Sequence, residues 1–143
     1  MGKKRVAKQE GAGSGTTAGS GASRSPKHHI ESAILHVDSS YNNTRLTLSD
    51  LKGNVLTWAS SGNLGFSGAR KGTPFAAAKV GETVGERAQN IGVKEVQVIV
   101  RGIGSGRESS IRSFISKGFT ISTIKDMTPV PHNGPRPPRP RRV

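Results

Sequence analysis

Residues 73–102, "TPFAAAKVGETVGERAQNIGVKEVQVIVRG", decide the fold because they place a helix directly before a strand. Thr73 is a favourable N-cap and Pro74 suits the first helical position, while Gly92 can end the helix in the left-handed conformation. Apolar residues at spacings of three and four form one helical face: Ala77, Val80, Val84, Ala88 and Ile91. The strand that follows has an apolar face of Val96, Val98 and Val100. This pairing predicts an α/β unit.

Two glycines, Gly81 and Gly85, lie inside the predicted helix. Each costs about 1 kcal/mol relative to Ala in a helix interior. We expect that their small size allows close packing of the helix backbone on the sheet.

Short strands precede the helix, namely "SAILHVDS", "TRLTLSD" and "VLTWAS". Their connections, "SSYNN" and "DLKGN", are short, which predicts an antiparallel meander. After the first α/β unit, "RESSIRSFISKG" predicts a second helix and "FTISTIKD" a last strand. The sequence therefore predicts an α/β fold over residues 30–126: a single three-layer α/β/α domain with a mixed five-stranded sheet.

The two ends differ from this domain in composition and charge. Residues 1–29 carry a net charge of +5 and include the Gly/Ser-rich run "GAGSGTTAGSGASRS", which predicts a flexible basic extension. Residues 127–143 carry +4 with no acidic residue, whereas residues 30–126 also carry only +4. We expect both ends to be disordered basic tails, the second a Pro/Arg arm.

The sequence pI near 11.2 indicates a polyanionic partner. Neither tail could form an amphipathic basic helix, so nucleic acid is favoured over a membrane surface. The N-terminus has no apolar segment typical of a secretory signal, and the chain has no Cys for disulfides or thiolate metal sites. The expected location is the cytosol, with no cofactor, metal or homo-oligomer.

Residue spacings typical of catalytic sites are weakly represented in the sequence. The four histidines show no metal-ligand spacing, and "GIGSG" lacks the context of a nucleophile elbow. One enzyme alternative remains open: a nucleotide site at the loop 102–106, with Asp126 at the distance expected for a ribose-binding acid. Its G-x-G-x-G spacing differs from the dinucleotide fingerprint.

Two loops favour phosphate binding. Loop 102–106 lies between a strand and a helix, where backbone N–H groups attract anions, and Arg107 adds a positive charge. Loop 62–72 places Arg70 and Lys71 before a helix N-terminus. The alternatives are a tight turn at 102–106 and an exposed loop with incidental charges at 62–72. Tyr41, Asn42 and Asn43 could stack on or bind single-stranded bases, or form a plain turn.

The final segment, "TPVPHNGPRPPRPRRV", cannot form a helix or an interior strand because proline interrupts it. Its prolines keep the chain extended, and Arg is suited to phosphate and to stacking on bases. It is therefore predicted to lie along RNA. The alternatives are an unused tail or a proline-rich ligand for a protein domain.

Taken in order, four blocks resemble the bacterial S-eleven family of small-subunit ribosomal proteins. They are "HVDSSYNNT", "WASSGNLGFSGARKGTPFAA", "GRESSIR" and "DMTPVPHNGPRPPRPRRV", and the match covers roughly residues 27–143. The chain departs from the family at the glycine loop, where the family often has Pro and this chain has Ile103 and Ser105.

The resemblance implies a ribonuclease H-like topology without enzyme activity. It also implies a structural protein that binds 16S rRNA in the platform of the small subunit, bridges rRNA helices and lines the mRNA exit and Shine-Dalgarno cleft. Neighbouring platform proteins are implied partners. The rRNA-binding residues carried over are Asn43, Arg70, Lys71, Arg107, Asn133, Arg136, Arg139, Arg141 and Arg142.

Overall fold

Within residues 30–136, 138 and 139, which the computed structural model describes, the elements follow the predicted order. They are β1 (Ser32–Ser39), β2 (Thr44–Ser49), β3 (Val55–Ser60), a short 3-10 helix (Gly68–Gly72), α1 (Pro74–Ile91), β4 (Glu95–Gly102), α2 (Gly106–Ile115) and β5 (Thr120–Asp126). The predicted flexible extension over 1–29 lies outside the described residues, as do Arg141 and Arg142 of the predicted arm.

Local signals set both ends of α1 as predicted. The Thr73 side chain accepts a hydrogen bond from the Ala76 N–H at 3.3 Å, and Pro74 occupies the first turn. Gly92 adopts the left-handed conformation at φ 95°, and its N–H donates to the carbonyls of Ala88 and Gln89. The helix therefore begins and ends where residue-level chemistry requires.

The strands form one mixed sheet in the order β3-β2-β1-β4-β5. β2 pairs antiparallel with both β1 and β3, which confirms the predicted meander. β4 pairs parallel with β1 on one side and with β5 on the other. The α/β class and the mixed five-stranded sheet are confirmed, while the ribonuclease H-like topology stays a prediction.

Both helices cover the same face of this sheet. α1 packs on β2 and β3, α2 packs on β1, and the two helices also pack extensively on each other. A right-handed β-α-β crossover places its helix on a fixed side, and both crossovers move across the sheet in the same direction. In the described part of the chain the helices thus form one layer. The predicted three-layer α/β/α arrangement, which needs helices on both faces of the sheet, was therefore wrong for these residues. The described part of the chain has two layers, one sheet and one helical layer.

The core lies between the sheet and this helical layer. Alternate strand residues point into it, as the period-two patterns predict. Its fully buried members include Leu35, Val37, Leu46, Leu48, Val80, Val84, Val96, Val98 and Phe114. The Phe114 ring also stacks on Phe119, with centroids 4.4 Å apart, which connects α2 to the segment before β5.

The glycines of α1 pack closely, but against α2 and the turn after it. A Cβ atom on Gly81 would lie 2.5 Å from the Ser110 carbonyl oxygen, and one on Gly85 would lie 2.8 Å from Lys117 Cγ. The prediction of close backbone packing is therefore confirmed. The prediction that the sheet is the packing partner was wrong, because the contacts lie on α2 and the turn after it. The two helices approach each other too closely for a side chain at Gly81.

Candidate nucleic-acid interface

The connections between elements meet at one end of the sheet. β1, β3, β4 and β5 run in the same direction, so their carboxyl ends lie together. β2 and both helices begin at this same end. We call the connecting residues here, 40–43, 61–73, 102–107 and 127–128, the carboxyl-end surface. Ligands of open α/β sheets commonly bind at this end.

Hydrogen bonds join these connections to one another. The Gly104 N–H donates to Ser39 O at 3.0 Å, the Ser105 hydroxyl donates to Gly72 O at 2.9 Å, and the Gly102 N–H donates to Thr128 Oγ1 at 3.2 Å. Gly72 also lies against the first turn, because a Cβ atom there would be 2.0 Å from Tyr41 O. Residues distant in sequence therefore form one connected surface.

The loop that carries Arg70 and Lys71 is held against the start of α1. The Thr73 hydroxyl donates to the Arg70 carbonyl at 2.7 Å, while its oxygen caps the helix. The rings of Phe66 and Phe75 pack edge to face with centroids 6.1 Å apart. Arg70 is exposed and Lys71 is half-buried. Both predicted cations are thus positioned beside a helix N-terminus, which favours bound anions.

Arg107 is bound within the protein. Its Nη1 donates to the Gly102 carbonyl at 2.6 Å, and its Nη2 donates to the Asp126 carboxylate. Its side chain keeps 30% of its accessible surface. A guanidinium has five N–H donors, and these two contacts use two of them. Arg107 therefore shapes the loop and retains donors toward solvent.

Asp126 accepts three hydrogen bonds from within the protein. The hydroxyl and the backbone N–H of Thr128 bond to it at 2.6 Å and 3.0 Å, in addition to Arg107. The Thr128 hydroxyl, followed by Arg107, lowers the pKa of Asp126 from 3.8 to about 2. Because three internal donors already bind this carboxylate, its position is explained by packing of the loop and the arm, which weakens the sequence argument for a dinucleotide site.

The glycines of loop 102–106 are explained by packing. Gly102 has φ 98°, and a Cβ atom there would lie 2.1 Å from Ser39 O. A Cβ atom on Gly104 would lie 2.3 Å from Ser40 O. Their N–H groups donate internally, so these two amides are not phosphate donors. The geometry favours the tight-turn interpretation for the glycines, and a phosphate contact at this loop stays a prediction.

Asn43 closes the turn between β1 and β2. Its N–H bonds to Ser40 Oγ at 3.1 Å, and its carbonyl accepts from the Ser40 N–H at 2.9 Å. Its side-chain Oδ1 is buried with no hydrogen-bond partner among the described residues. The neighbouring Tyr41 is 74% exposed. The turn thus presents the ring that sequence reasoning proposed for stacking, beside an unsatisfied amide oxygen.

The C-terminal arm leaves from this same surface. Met127 N–H donates to Val100 O at 2.8 Å, and Thr128 bonds to Gly102 as described above. Beyond Val130, the described residues are exposed and form no helix or strand. Asn133 adopts φ 50°, and Arg136 and Arg139 are exposed. The two described arginines are therefore accessible to a partner.

Sequence reasoning missed the residues that connect the loops and the residues on the uncovered sheet face. The connectors are the hydroxyl side chains of Ser105 and Thr128. Their partners, Gly72 and Gly102, lie 33 and 26 positions away in the chain and leave no local signal. Arg45 and Arg101, by contrast, alternate with core residues in β2 and β4, so the alternation in the sequence already indicates that they lie on the opposite face; only a role for them was missed.

Residues 30–136, 138 and 139 meet neither the requirements of a metal site nor those of a membrane-spanning helix. No group of three or more His, Asp or Glu side chains among them could hold a metal ion. Over the same residues, neither helix combines the length and the apolar character that a membrane span requires.

Comparison with known proteins gives a consistent result. The family model described as ribosomal protein S11 matches residues 33–142. The small ribosomal subunit protein uS11 of Parvibaculum lavamentivorans is 49% identical over 120 residues, which cover 84% of this chain and 93% of that protein. The match includes the loops of the carboxyl-end surface and most of the C-terminal arm.

Proposed function

The chain belongs to the ribosomal protein S11 family, and from this we propose that its carboxyl-end surface and C-terminal arm bind small-subunit rRNA. It is a structural protein of the small ribosomal subunit, hence of a ribonucleoprotein that acts in translation in the bacterial cytoplasm, and it is not an enzyme. The proposal concerns which residues bind rRNA and how.

One observation carries the proposal: hydrogen bonds join separate loops into a single basic surface from which the arm extends. Arg70, Lys71 and Arg107 lie on this surface, and the charge of Asp126 beside it is offset by its ion pair with Arg107. Such a surface attracts phosphates wherever they lie along a folded RNA, because backbone contacts depend on charge and position rather than on base identity.

Each predicted contact has a distinct role in this proposal. Arg70 and Lys71 bind phosphate beside the N-terminus of α1. Arg107 donates its remaining N–H groups to a phosphate while it holds Gly102 and Asp126. Asn43 donates its side-chain amide N–H to the RNA from the turn between β1 and β2, which its backbone bonds to Ser40 hold in shape.

The C-terminal arm gives the protein a second segment that can contact RNA. Asn133, Arg136 and Arg139, followed in sequence by Arg141 and Arg142, extend from the end of β5. A rigid surface and an extended arm can contact separate RNA helices at the same time. We therefore propose that the protein bridges rRNA helices in the platform, beside neighbouring platform proteins and the mRNA exit cleft, as the family resemblance implies.

The test is binding of the full chain to a transcript of the small-subunit rRNA platform, measured by filter retention over a range of salt. The double variant Arg70→Gln/Lys71→Gln removes two cations from the carboxyl-end surface. The matched control, Lys52→Gln/Lys94→Gln, removes two cations at the opposite end of the sheet. We expect the first variant to weaken binding and to reduce the salt slope by about 1.8, and the control to change neither. Equal effects of the two variants would refute this surface.

A further inference from the structure

The face of the sheet opposite the helices carries a file of side chains that runs across all strands. Cross-strand register pairs Thr47 with Trp58, His36 with both Thr47 and Ile99, and Ile99 with Lys125. These side chains share one face because the buried residues beside them in each strand point the other way. Trp58 is 49% exposed. An aromatic ring is thus presented at one end of an open, largely polar row.

A second file lies closer to the carboxyl ends of the strands. Asp38 is in register with Arg45 on one side and Arg101 on the other, and all three side chains are exposed. Among the described residues neither arginine forms a salt bridge. Together with Lys125, this part of the face has three cations and one anion.

Shallow depressions connect the two files to the carboxyl-end surface. One of about 370 Å³ is lined by Arg45, Thr47, Val55 and Trp58, and one of about 220 Å³ by His36, Asp38, Thr47, Ile99 and Arg101. A third, of about 310 Å³, includes Arg45 and Arg101 together with Asn43 and Gly102. The open face is therefore continuous with the surface proposed to bind rRNA.

We propose that this open sheet face binds a single-stranded segment of RNA, with a base stacked on Trp58 and the sugar-phosphate chain at Arg45 and Arg101. The proposal rests on RNA being the ligand of this protein, but it uses strand residues that are different from the loop residues of the carboxyl-end surface. From β3 to β4 the file spans three strand spacings, about 14 Å. Sheets that bind single-stranded RNA stack unpaired bases on exposed aromatic side chains, and Trp58 presents one such ring on this face.

The positive charge of the open sheet face favours an RNA strand over the chain's own N-terminal segment as its ligand. Residues 1–29 carry a net charge of +5, so Arg45, Arg101 and Lys125 would repel them. A polyanion has the opposite sign and gains from the same three cations. A base stacked on Trp58 also covers an exposed ring, which a phosphate contact alone would not do.

The chain offers a direct reporter, because Trp58 is its only tryptophan. Full-length protein is titrated with a short oligouridine at low salt, and the emission of Trp58 is followed alongside the anisotropy of a labelled copy of the same oligonucleotide. We expect saturable quenching of Trp58 that parallels the anisotropy. Oligonucleotide binding with unchanged Trp58 emission would overturn the sheet proposal.

Variants separate this face from the loops. Arg45→Gln/Arg101→Gln should weaken oligouridine binding and lower its salt slope by about 1.4, whereas Lys52→Gln/Lys94→Gln should not. Trp58→Thr, read by anisotropy, should weaken binding by about tenfold. Arg70→Gln/Lys71→Gln should leave the quenching of Trp58 unchanged while it weakens binding of the platform transcript.

The outcomes distinguish the two proposals. Loss of platform binding in the loop variant, with no response of Trp58 to oligouridine, leaves the proposed function standing and removes the sheet site. Failure to bind either RNA removes both. A Trp58 emission that changes with protein concentration alone indicates that a second copy covers the face, which also overturns the RNA proposal. Circular dichroism of Arg45→Gln/Arg101→Gln confirms that the variant is folded.

Discussion

The guanidinium of Arg107, in the first turn of α2, donates a hydrogen bond to the carboxylate of Asp126, the last residue of β5. The same guanidinium binds the carbonyl of Gly102 at the end of β4. Arg107 thus connects two strand ends to the helix between them. Because the C-terminal arm begins directly after Asp126, this pairing also sets where the arm leaves the domain.

Asp126 should make the stability of the domain depend on acid pH. Its pKa is about 2 in the folded protein, below the ordinary 3.8, because the Thr128 hydroxyl and Arg107 favour the charged form. A depressed pKa contributes stability above pH 3.8, and this contribution is lost as pH falls through about 2. Asp126→Asn should therefore be less stable than the parent at neutral pH, and the difference should shrink toward pH 2.

Urea unfolding at several pH values measures this difference, and a titration of the Asp126 carboxyl by NMR should give a midpoint near 2. A stability difference that is the same at pH 7 and pH 2 would show that the carboxylate charge is not responsible.

Gly81→Ala and Gly85→Ala should differ although both replace a glycine within α1. Alanine gains about 1 kcal/mol of helix propensity at each site. At Gly81 the new methyl would lie 2.5 Å from the Ser110 carbonyl, a backbone atom, so we expect net destabilisation of about 1–3 kcal/mol. At Gly85 it meets Lys117 Cγ at 2.8 Å and Lys117 Cβ at 3.3 Å, side-chain atoms that can shift more easily than a backbone carbonyl, so we expect a smaller loss. Chemical unfolding of both variants checks this, and equal losses would contradict it.

Thr73→Ala should affect both the fold and the basic loop. It removes the cap of α1 and the hydrogen bond to the Arg70 carbonyl, for a loss of about 1–2 kcal/mol in the free energy of unfolding. Binding to the platform transcript should weaken as well, because the Arg70 carbonyl loses one of its two hydrogen bonds to residue 73. Thr73→Ser keeps the hydroxyl and serves as the control. Normal RNA binding by a destabilised Thr73→Ala variant would show that the loop does not need this anchor.

Deletion of residues 133–143 should leave the domain folded. The described residues of this segment are exposed and make no helix or strand, so the melting temperature should change little. The deletion removes Arg136, Arg139, Arg141 and Arg142, so the salt slope for the platform transcript should fall by about 3.6 if each neutralises one phosphate. An unchanged affinity with an unchanged melting temperature would mean that the arm does not bind RNA.

The sequence by itself determined the order of elements, the ends of α1 and the placement of the basic segments. These features follow from short-range chemistry: Thr73 caps a helix and Gly92 ends it, and a strand shows its faces in alternate residues. The charge of the arm is equally local, since no acidic residue lies near Arg136 or Arg139.

Only the tertiary structure decided which sheet face the helices cover and which residues pack against Gly81 and Gly85. It also decided which groups the Arg107 side chain binds. Each depends on residues far apart in sequence, such as the 19 positions that separate Arg107 from Asp126. Residue type restricts which groups can pair, but chain topology brings a particular pair within reach. The single helical layer has the same origin, since both crossovers run in one direction and so leave Trp58, Arg45 and Arg101 on the opposite face.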